Sequence, residues 1–256
     1  MPCLDGAPGC AQAVRKHKWP KNAAKEFEAI ASTNRWGNGE SISGDGSTVE
    51  INRVRAACLS VFIFTHNVTR LYDIPCGDAH WQHSIPGVGT KFVYLGSDIS
   101  SIALGQAKAK NKGRPHLHFT QNTTNLITTV PKLSDAAHSI WMLKEVVQHL
   151  PLEAGLKMVQ NVQRSGAHYL AITSHDTELF KVGKRKLGGK GKNKNVDVPY
   201  GGFYQNNVFL PPFNFPPSAL LADCSELLAT PEDQIRRGNL LIFDLQRWKL
   251  APDGGE

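Results

Sequence analysis

A single stretch decides the fold of this chain: Leu71-Tyr72-Asp73-Ile74-Pro75-Cys76-Gly77-Asp78-Ala79-His80-Trp81. Its apolar start predicts a buried strand, which ends at Asp73 and is followed by a turn around Gly77. A second apolar run, 92–99, closes on another acid, Asp98. Two successive strands that each close on an aspartate, about 25 residues apart, predict a Rossmann-like β-α-β unit with an adenosine-containing ligand.

Further apolar runs alternate with helical periodicity along the chain. The pattern predicts helices over 22–32, 48–64, 100–111 and 152–163, and strands over 115–119, 139–143 and 167–173. Strands that alternate with helices form a mostly parallel sheet with helices on both faces. The run 240–250 predicts a late strand pair or a tail strand. We therefore expect an α/β, Rossmann-like fold in one domain, 22–250, after a loose N-terminus, 1–21.

The segment 34–47, between the first two predicted helices, contains four glycines and three serines. Arg35, Trp36 and Glu40 are embedded in it, which is unusual for a simple linker. We predict that residues 22–60 form the N-terminal helices and a lid loop over a bound ligand. The alternative is a surface loop whose tryptophan fills part of the core.

The positive charge of the chain is concentrated in one segment. Of the net charge of +7, the whole excess comes from seven lysines and arginines in 181–194, which contains no acid. This basic insertion could dock RNA or a phosphate-bearing acceptor. Because it has almost no apolar residues, its composition favours a solvated loop, so a nucleic-acid partner is not favoured.

The five cysteines are odd in number, scattered and without C-x-x-C spacing. This usage predicts reduced thiols rather than a disulfide framework or a zinc cluster. The chain shows no signal-peptide pattern and no run of 18 apolar residues. We therefore expect a soluble cytoplasmic protein without a membrane partner, and the oligomeric state is not indicated.

Ligands of parallel sheets bind at the carboxyl ends of the strands. A carboxylate and a glycine turn, such as Asp73 and Gly77, complement the amino-acid part of S-adenosylmethionine, and Asp98 suits the two hydroxyls of a ribose. A dinucleotide is the alternative, but G-x-G-x-x-G is absent. The sequence therefore favours a methyl donor.

His149 is the candidate general base, since imidazole titrates near neutrality and transfer to oxygen requires removal of a hydroxyl proton. Glu145, predicted to lie one helical turn away, could orient His149 or act as the base itself. The alternative is that His149 is a packed histidine at the start of a helix. His116 and His118 share a strand face, which is more often packing than metal binding, so no metal is predicted.

Several motifs follow one another in a characteristic order: Arg35-Trp36-Gly37, Glu40-Ser41-Ile42-Ser43-Gly44 with Gly46-Ser47, Asp73-Ile74-Pro75-Cys76-Gly77-Asp78 with Trp81, Tyr94-Leu95-Gly96 with Asp98-Ile99, His149-Leu150, Tyr169-Leu170 with Thr173, Asn195 with Asp197, and Pro212-Phe213 with Phe215-Pro216. With these motifs the chain resembles a family of class I S-adenosylmethionine-dependent methyltransferases, some of which methylate hydroxyls of sugars or glycans. The resemblance implies a Rossmann-like methyltransferase fold.

The resemblance also implies that Asp73, Pro75 and Gly77 surround the amino-acid end of the donor and that Asp98 holds its ribose. Together with the other candidate residues, this gives two predicted sets of site residues. The donor set is Asp73, Pro75, Gly77, Asp78, Trp81, Asp98, Ile99, Asn122 and Thr123. The acceptor set is Trp36, Glu40, Ser41, Lys144, Asn195, Asp197 and Tyr200. The chain departs from the pattern at Asn122 and Thr123, where an acid usually holds the adenine amino group. It departs again at Lys144-Glu145, where the family tends to have Arg-Asp.

These observations predict an S-adenosylmethionine-dependent methyltransferase that acts on a hydroxyl of a small polar or sugar-like acceptor and releases S-adenosylhomocysteine. In-line binding of both reactants is expected to be the main catalytic contribution. One alternative is an RNA or protein methyltransferase that uses 181–194 as a docking arm. The other is a donor-binding scaffold without catalytic activity.

Overall fold

The structure is a computed structural model that describes residues 23–37, 39–120, 126–133, 135–175, 194–224 and 238–248. The described residues form one seven-stranded sheet. The strands are β1 (Arg70–Asp73), β2 (Val93–Gly96), β3 (Leu117–Phe119), β4 (Ser139–Leu143), β5 (Tyr169–Ser174), β6 (Leu220–Asp223) and β7 (Asn239–Asp244). The helices are α1 (Ala23–Ser32), α2 (Val49–Thr65), α3 (Ser101–Lys110) and α4 (Leu152–Arg164).

The order of strands across the sheet is β3-β2-β1-β4-β5-β7-β6. The first five are parallel, and β7 is antiparallel to both of its neighbours. The mostly parallel sheet predicted from the sequence is therefore confirmed. The tail run pairs as β7 with an earlier segment, β6, which the sequence pattern did not predict.

Helices cover both faces of the sheet, as predicted, because neighbouring side chains of a strand point to opposite faces. Leu71, Ile140 and Met142 pack with α2, whose Leu59 and Ile63 are buried in the same cluster. The alternate strand positions pack with α4 on the other face, in a cluster that contains Tyr72, Trp141, Leu143, Met158 and Val162.

Local signals explain where the helices begin. The hydroxyl of Thr48 accepts a hydrogen bond from the Ile51 amide at the start of α2, and Ser100 does the same for Ala103 at the start of α3. The helix predicted between Glu145 and His149 is wrong, however. Only a short 3-10 turn, Val147–His149, lies there, and α4 begins after Pro151.

A disulfide joins Cys58 in α2 to Cys224 at the end of β6. The prediction of reduced thiols is therefore wrong for this pair, because residues 166 positions apart meet only once the sheet has formed. Disulfides are typical of oxidising compartments and rare in the cytosol. The cytoplasmic location stays a prediction, and this pair is the observation that weighs against it.

Some predictions lie outside the described residues. These are the loose N-terminus before residue 23, the donor contacts of Asn122 and Thr123, and the basic insertion up to residue 193. Within the described ranges, no helix combines the length and apolarity needed to cross a membrane.

Candidate functional site

A large pocket opens at the carboxyl ends of the central strands. Strands β2 and β3 lie on one side of β1, and β4 and β5 lie on its other side. The strand order therefore reverses direction between β1 and β4, and a crevice forms at the carboxyl ends of these two strands. The pocket there has an empty volume of about 1130 Å³, including the part that is open to solvent. Asp73 and Gly77 line it from one side, and Lys144, Glu145 and His149 line it from the other.

The turn after β1 approaches Asp98 through its backbone. Gly77 has a φ of +58°, which favours glycine, and its amide donates to Asp98 Oδ2 at 2.8 Å. The Ser100 amide donates to the other carboxylate oxygen at 2.8 Å. Burial raises the pKa of Asp98 to about 6, although these amide hydrogen bonds oppose the shift. An acid held in this way would gain from a hydroxyl donor or a cation in the pocket.

Asp73 is almost completely buried, with 2% of its surface exposed. Its Oδ2 accepts hydrogen bonds from the Tyr94 hydroxyl at 2.7 Å and from Gln82 Nε2 at 2.8 Å. Burial raises the pKa of Asp73 to about 7, and the two hydrogen bonds counteract part of this effect. Sequence reasoning missed Gln82 and quoted Tyr94 only as part of a motif, because an acid gives no signal of which donors the fold will bring to it.

Asp78 anchors the segment 39–47 rather than lining the pocket. This segment belongs to the predicted lid loop and is called the lid segment below, while its action as a lid stays a prediction. Its carboxylate accepts from the hydroxyls of Ser41 and Ser43 at 2.8 and 3.0 Å and from Lys110 Nζ at 2.5 Å. Burial opposes ionisation, but the hydrogen bonds from Lys110 and Ser41 outweigh it and lower the pKa of Asp78. The structure thus gives Asp78 and Ser41 a shared structural contact, and their contact to a ligand stays a prediction.

The lid segment crosses the crevice and is fixed on its far side as well. Lys144 Nζ donates to the Gly46 carbonyl at 2.6 Å and lies 5.6 Å from the centre of the Trp81 ring. Burial lowers the pKa of Lys144 to about 8. Contacts at both ends hold the segment over the pocket, where Trp36 and Ser43 become part of the lining.

Helix α1 forms a further wall that the sequence reasoning did not assign to the site. Phe27 and Ile30 of this helix line the pocket. Glu28 fixes it to the start of α3, where its carboxylate accepts from the Ser100 hydroxyl at 2.6 Å and from the Ser101 hydroxyl. An acid at this point of a helix face gives no sequence signal that would distinguish it from a solvated residue.

His149 faces the pocket with a defined tautomer. Its Nδ1 lies 2.7 Å from the Gly202 carbonyl, which can only accept, so Nδ1 carries the proton and Nε2 carries the lone pair. Burial lowers the pKa of His149, while the Gly202 contact and the charge of Glu145 oppose that shift. A neutral imidazole with a free Nε2 is the form that a general base requires.

Glu145 is held in an unusual backbone conformation beside His149. Its φ is +55°, its amide donates to Thr173 Oγ1 at 2.8 Å, and its carboxylate accepts from Gln148 Nε2. Glu145 lines the pocket. Its predicted catalytic role stays a prediction, now from a turn after β4 rather than from a helix.

Three residues of the predicted acceptor set hold the segment 194–206 in place. The Asn195 side chain donates to the carbonyls of Asn207 and Pro211 at 2.8 and 2.9 Å. Asp197 accepts from the Leu152 amide at the start of α4 at 2.8 Å. Tyr200 packs edge-on against Phe27. These contacts are structural, and contact of the three with an acceptor stays a prediction.

The predicted site residues can be divided by whether they line the pocket. Those that line the pocket are Trp36, Asp73, Pro75, Gly77, Trp81, Asp98, Ile99, Lys144, Glu145 and His149. Glu40 does not line it, and its carboxylate instead accepts from the Val49 amide at 2.9 Å and contacts His80 at 2.8 Å. Within the described ranges, no cluster of three His, Cys, Asp or Glu side chains could hold a metal ion.

No protein-family model matches this sequence, and no curated protein matches it either. Among solved structures, magnesium protoporphyrin IX methyltransferase from Synechocystis PCC 6803, with bound S-adenosylmethionine, gives a TM-score of 0.51 at 16% identity over 88% of this chain and 96% of that chain. This match shows that the chain has the Rossmann-like class I methyltransferase fold.

Two further structures are more distant and add nothing to that conclusion. An N-methyltransferase from Bradyrhizobium japonicum WM9, in complex with S-adenosylhomocysteine, gives a TM-score of 0.43 at 16% identity, over 60% of this chain and 74% of that one. The methyltransferase domain of a bacterial Hen1 protein gives 0.40 at 16% identity, over 48% and 66%.

Proposed function

We propose that the chain is an S-adenosylmethionine-dependent methyltransferase that transfers a methyl group to a hydroxyl of a small polar or sugar-like acceptor. One observation carries the proposal. A single pocket at the switch point of the sheet brings two buried aspartates, Asp73 and Asp98, to the same cavity as His149 with its free Nε2. The bound S-adenosylmethionine of the fold neighbour from Synechocystis supports the choice of donor.

The residues on the β1 side fit this donor. Asp98 can accept hydrogen bonds from two ribose hydroxyls, and the Gly77 turn allows close backbone approach to the methionine part. Three acids, Asp73, Asp98 and Glu145, line the pocket with one amine, Lys144. Although burial raises the pKa of Asp73 to about 7 and that of Asp98 to about 6, negative charge still outweighs positive charge among these groups near neutral pH. This charge balance favours a sulfonium cation over the neutral thioether product.

The residues on the β4 side fit the acceptor step. S-adenosylmethionine supplies a methyl group activated on a positively charged sulfur. As the acceptor oxygen forms its bond to the methyl carbon, the carbon–sulfur bond breaks and its electron pair stays on sulfur. His149 Nε2 takes the hydroxyl proton. The lid segment and α1 exclude water and hold the two reactants in line.

The test has two parts. Calorimetry with S-adenosylmethionine should show at least about tenfold weaker binding for Asp98→Asn, because a charged hydrogen-bond acceptor is lost. The matched control is Asp135→Asn. The Asp135 carboxylate accepts a hydrogen bond from the Thr69 hydroxyl at 2.6 Å, near the amino ends of β1 and β4 and away from the pocket, so donor affinity should not change. Equal affinity of both variants and the wild type would place the donor elsewhere.

The second part is an acceptor screen that follows S-adenosylhomocysteine release with free sugars, phenols, amines and RNA. We expect turnover with hydroxyl acceptors. Turnover with RNA alone, abolished by deletion of 181–194 and steeply weakened by salt, would support the docking-arm alternative. Donor binding without product from any acceptor would support the scaffold.

A further inference from the structure

Phe203 is a large apolar side chain left outside the core. Its exposed fraction is 54%, although burial of a phenylalanine side chain is worth about 1.5–3 kcal/mol. Single exposed apolar residues are common and need no explanation by themselves. The position of this one is informative, because its ring centre lies 5.7 Å from that of His149, the candidate base.

Phe203 belongs to a row of neighbouring rings, which we call the aromatic row: Trp36, His149, Phe203 and His175. Trp36 and His149 line the pocket, and Phe203 and His175 continue the row outside its lining. The ring centres of Trp36 and His149 are 4.5 Å apart. On the other side of His149, Phe203 meets His175 edge-on at 5.8 Å and 85°. The row therefore extends the wall around His149 beyond the donor pocket and towards the end of β5.

The backbone that presents Phe203 also sets the chemistry of His149. Gly202, the preceding residue, provides the carbonyl that holds His149 Nδ1, and the Gly201 amide donates to the His149 carbonyl at 2.9 Å. The following residue, Tyr204, is buried and donates its amide to the Gln148 carbonyl at 3.2 Å. These contacts fix the backbone on both sides of Phe203 relative to the base.

We propose that Phe203 is the platform on which the acceptor lies, and that the acceptor is therefore a ring compound with a hydroxyl on the ring. The flat face of such a ring packs on the exposed face of Phe203 while the hydroxyl reaches His149 Nε2. An aromatic ring and the C–H face of a sugar-like ring share this chemistry. The inference rests on the proposed methyl transfer and adds a shape requirement that open-chain hydroxyl compounds do not meet.

The experiment uses the full chain and compares substitutions of two exposed phenylalanines. Phe203→Ala should raise the acceptor KM by about 2- to 10-fold, the loss expected for one ring–ring contact. Donor affinity should stay unchanged, because the ring lies on the acceptor side. The matched control is Phe64→Ala on the outer face of α2, where the exposed fraction is 45%, and its acceptor KM should equal that of the wild type.

Two further variants separate stacking from simple apolar contact. Phe203→Trp keeps a flat face and should retain a low KM, whereas Phe203→Leu should behave like Phe203→Ala. A pair of probes with equal numbers of hydroxyls, cyclic myo-inositol and open-chain sorbitol, tests the shape requirement as competitors of the reaction. Catechol as a third competitor distinguishes an aromatic ring from a saturated one. We expect inhibition by a ring compound that weakens in Phe203→Ala.

The outcomes distinguish this inference from the proposed function. A wild-type protein that neither binds the donor nor releases S-adenosylhomocysteine overturns both. An active wild type whose acceptor KM is unchanged in Phe203→Ala, or equally raised in Phe64→Ala, overturns the platform alone. Sorbitol competing as well as the ring compounds does the same. Thermal melting of all variants checks that they fold.

Discussion

The two sides of the pocket meet the same backbone requirement with different residues. We call the turn after β1 together with Asp98 the donor half, because it is proposed to bind the donor, and residues 144–149 with 199–206 the acceptor half. In the donor half, the residue with left-handed backbone is a glycine, Gly77, with a φ of +58°. In the acceptor half, the residue with left-handed backbone is Glu145, with a φ of +55°. A side chain in this conformation costs on the order of 1–2 kcal/mol. In the donor half, the residue type itself permits the left-handed backbone. In the acceptor half, contacts with neighbouring residues keep the backbone of Glu145 in that conformation.

The neighbours of Glu145 show how this conformation is maintained. Thr173 of β5 accepts from its amide, Gln148 donates to its carboxylate, and a Cβ at Gly46 would lie 3.1 Å from its Cγ. Strain of this kind persists where the surroundings determine the conformation, and it is common at functional sites. Sequence motifs should therefore identify the donor half better than the acceptor half.

The largest expected effect is on the acceptor half. His149→Gln should lower kcat by about 10²- to 10⁴-fold, because the base that removes the hydroxyl proton is lost, while S-adenosylmethionine affinity in calorimetry should change little. Single-turnover rates with saturating donor measure the effect. If kcat were unchanged, His149 would be a packing residue, and the assignment of residues 144–149 to the acceptor half would be wrong.

The next effect concerns the disulfide, which lies outside both halves of the pocket. Its removal should destabilise the whole fold. Replacing the pair, with Cys58→Ser and Cys224→Ala, should lower the free energy of unfolding by about 2–4 kcal/mol, or the Tm by roughly 4–16 °C. Reductant should lower the wild-type Tm and leave that of the variant unchanged. Cys76, the free cysteine that the structure describes, is buried. A wild type insensitive to reductant would contradict the pairing.

A smaller effect is expected at the donor turn. Gly77→Ala places a Cβ 2.3 Å from Ser43 Oγ at a left-handed φ, so the free energy of unfolding should fall by about 1–3 kcal/mol and donor affinity should weaken. The matched control is Gly105→Ala in α3, where a Cβ meets nothing within 4 Å. The free energy of unfolding of Gly105→Ala should rise by about 0.5–1 kcal/mol. Denaturant titration and calorimetry compare the two, and equal behaviour would argue against a tight turn.

The smallest effect concerns the charge beside the base. Burial lowers the pKa of His149, and the negative charge of Glu145 opposes this. Glu145→Gln removes that charge, so the pKa of His149 should fall further. Activity requires the neutral imidazole and rises with pH through this pKa. The acidic limb of the pH–rate profile should therefore move to lower pH. An unchanged acidic limb, or a shift to higher pH, would mean that Glu145 does not act on His149 through its charge.

The donor half could largely be predicted. Asp73, Gly77 and Asp98 were identified from two apolar strands that end in acids, and the structure brings all three to one pocket. Asp78 belongs to the same motif, yet its partners are lid serines and Lys110. Motif membership does not tell which acid faces a ligand and which one holds a loop, because that depends on donors far away in sequence.

The acceptor half could be predicted only in part. His149 was predicted as a base because imidazole titrates near neutrality, and the structure places it in the pocket lining. Its role as the base stays a prediction. Phe203, which we propose as the acceptor platform, was not singled out, since an aromatic residue in a proline-rich segment gives no sign of which way it points. Asn195, Asp197 and Tyr200 carry a recognisable pattern, and their contacts turned out to fix backbone segments.

The sequence by itself determined the alternation of strands and helices and the acids at the ends of β1 and β2, because apolar periodicity and turn chemistry act over a few neighbouring residues. Only the tertiary structure decided the pairing of Cys58 with Cys224, the lid contacts between Ser43 and Asp78, and the Gly202 carbonyl that fixes the tautomer of His149. Each of these depends on distances between residues that the chain brings together only after the sheet has formed.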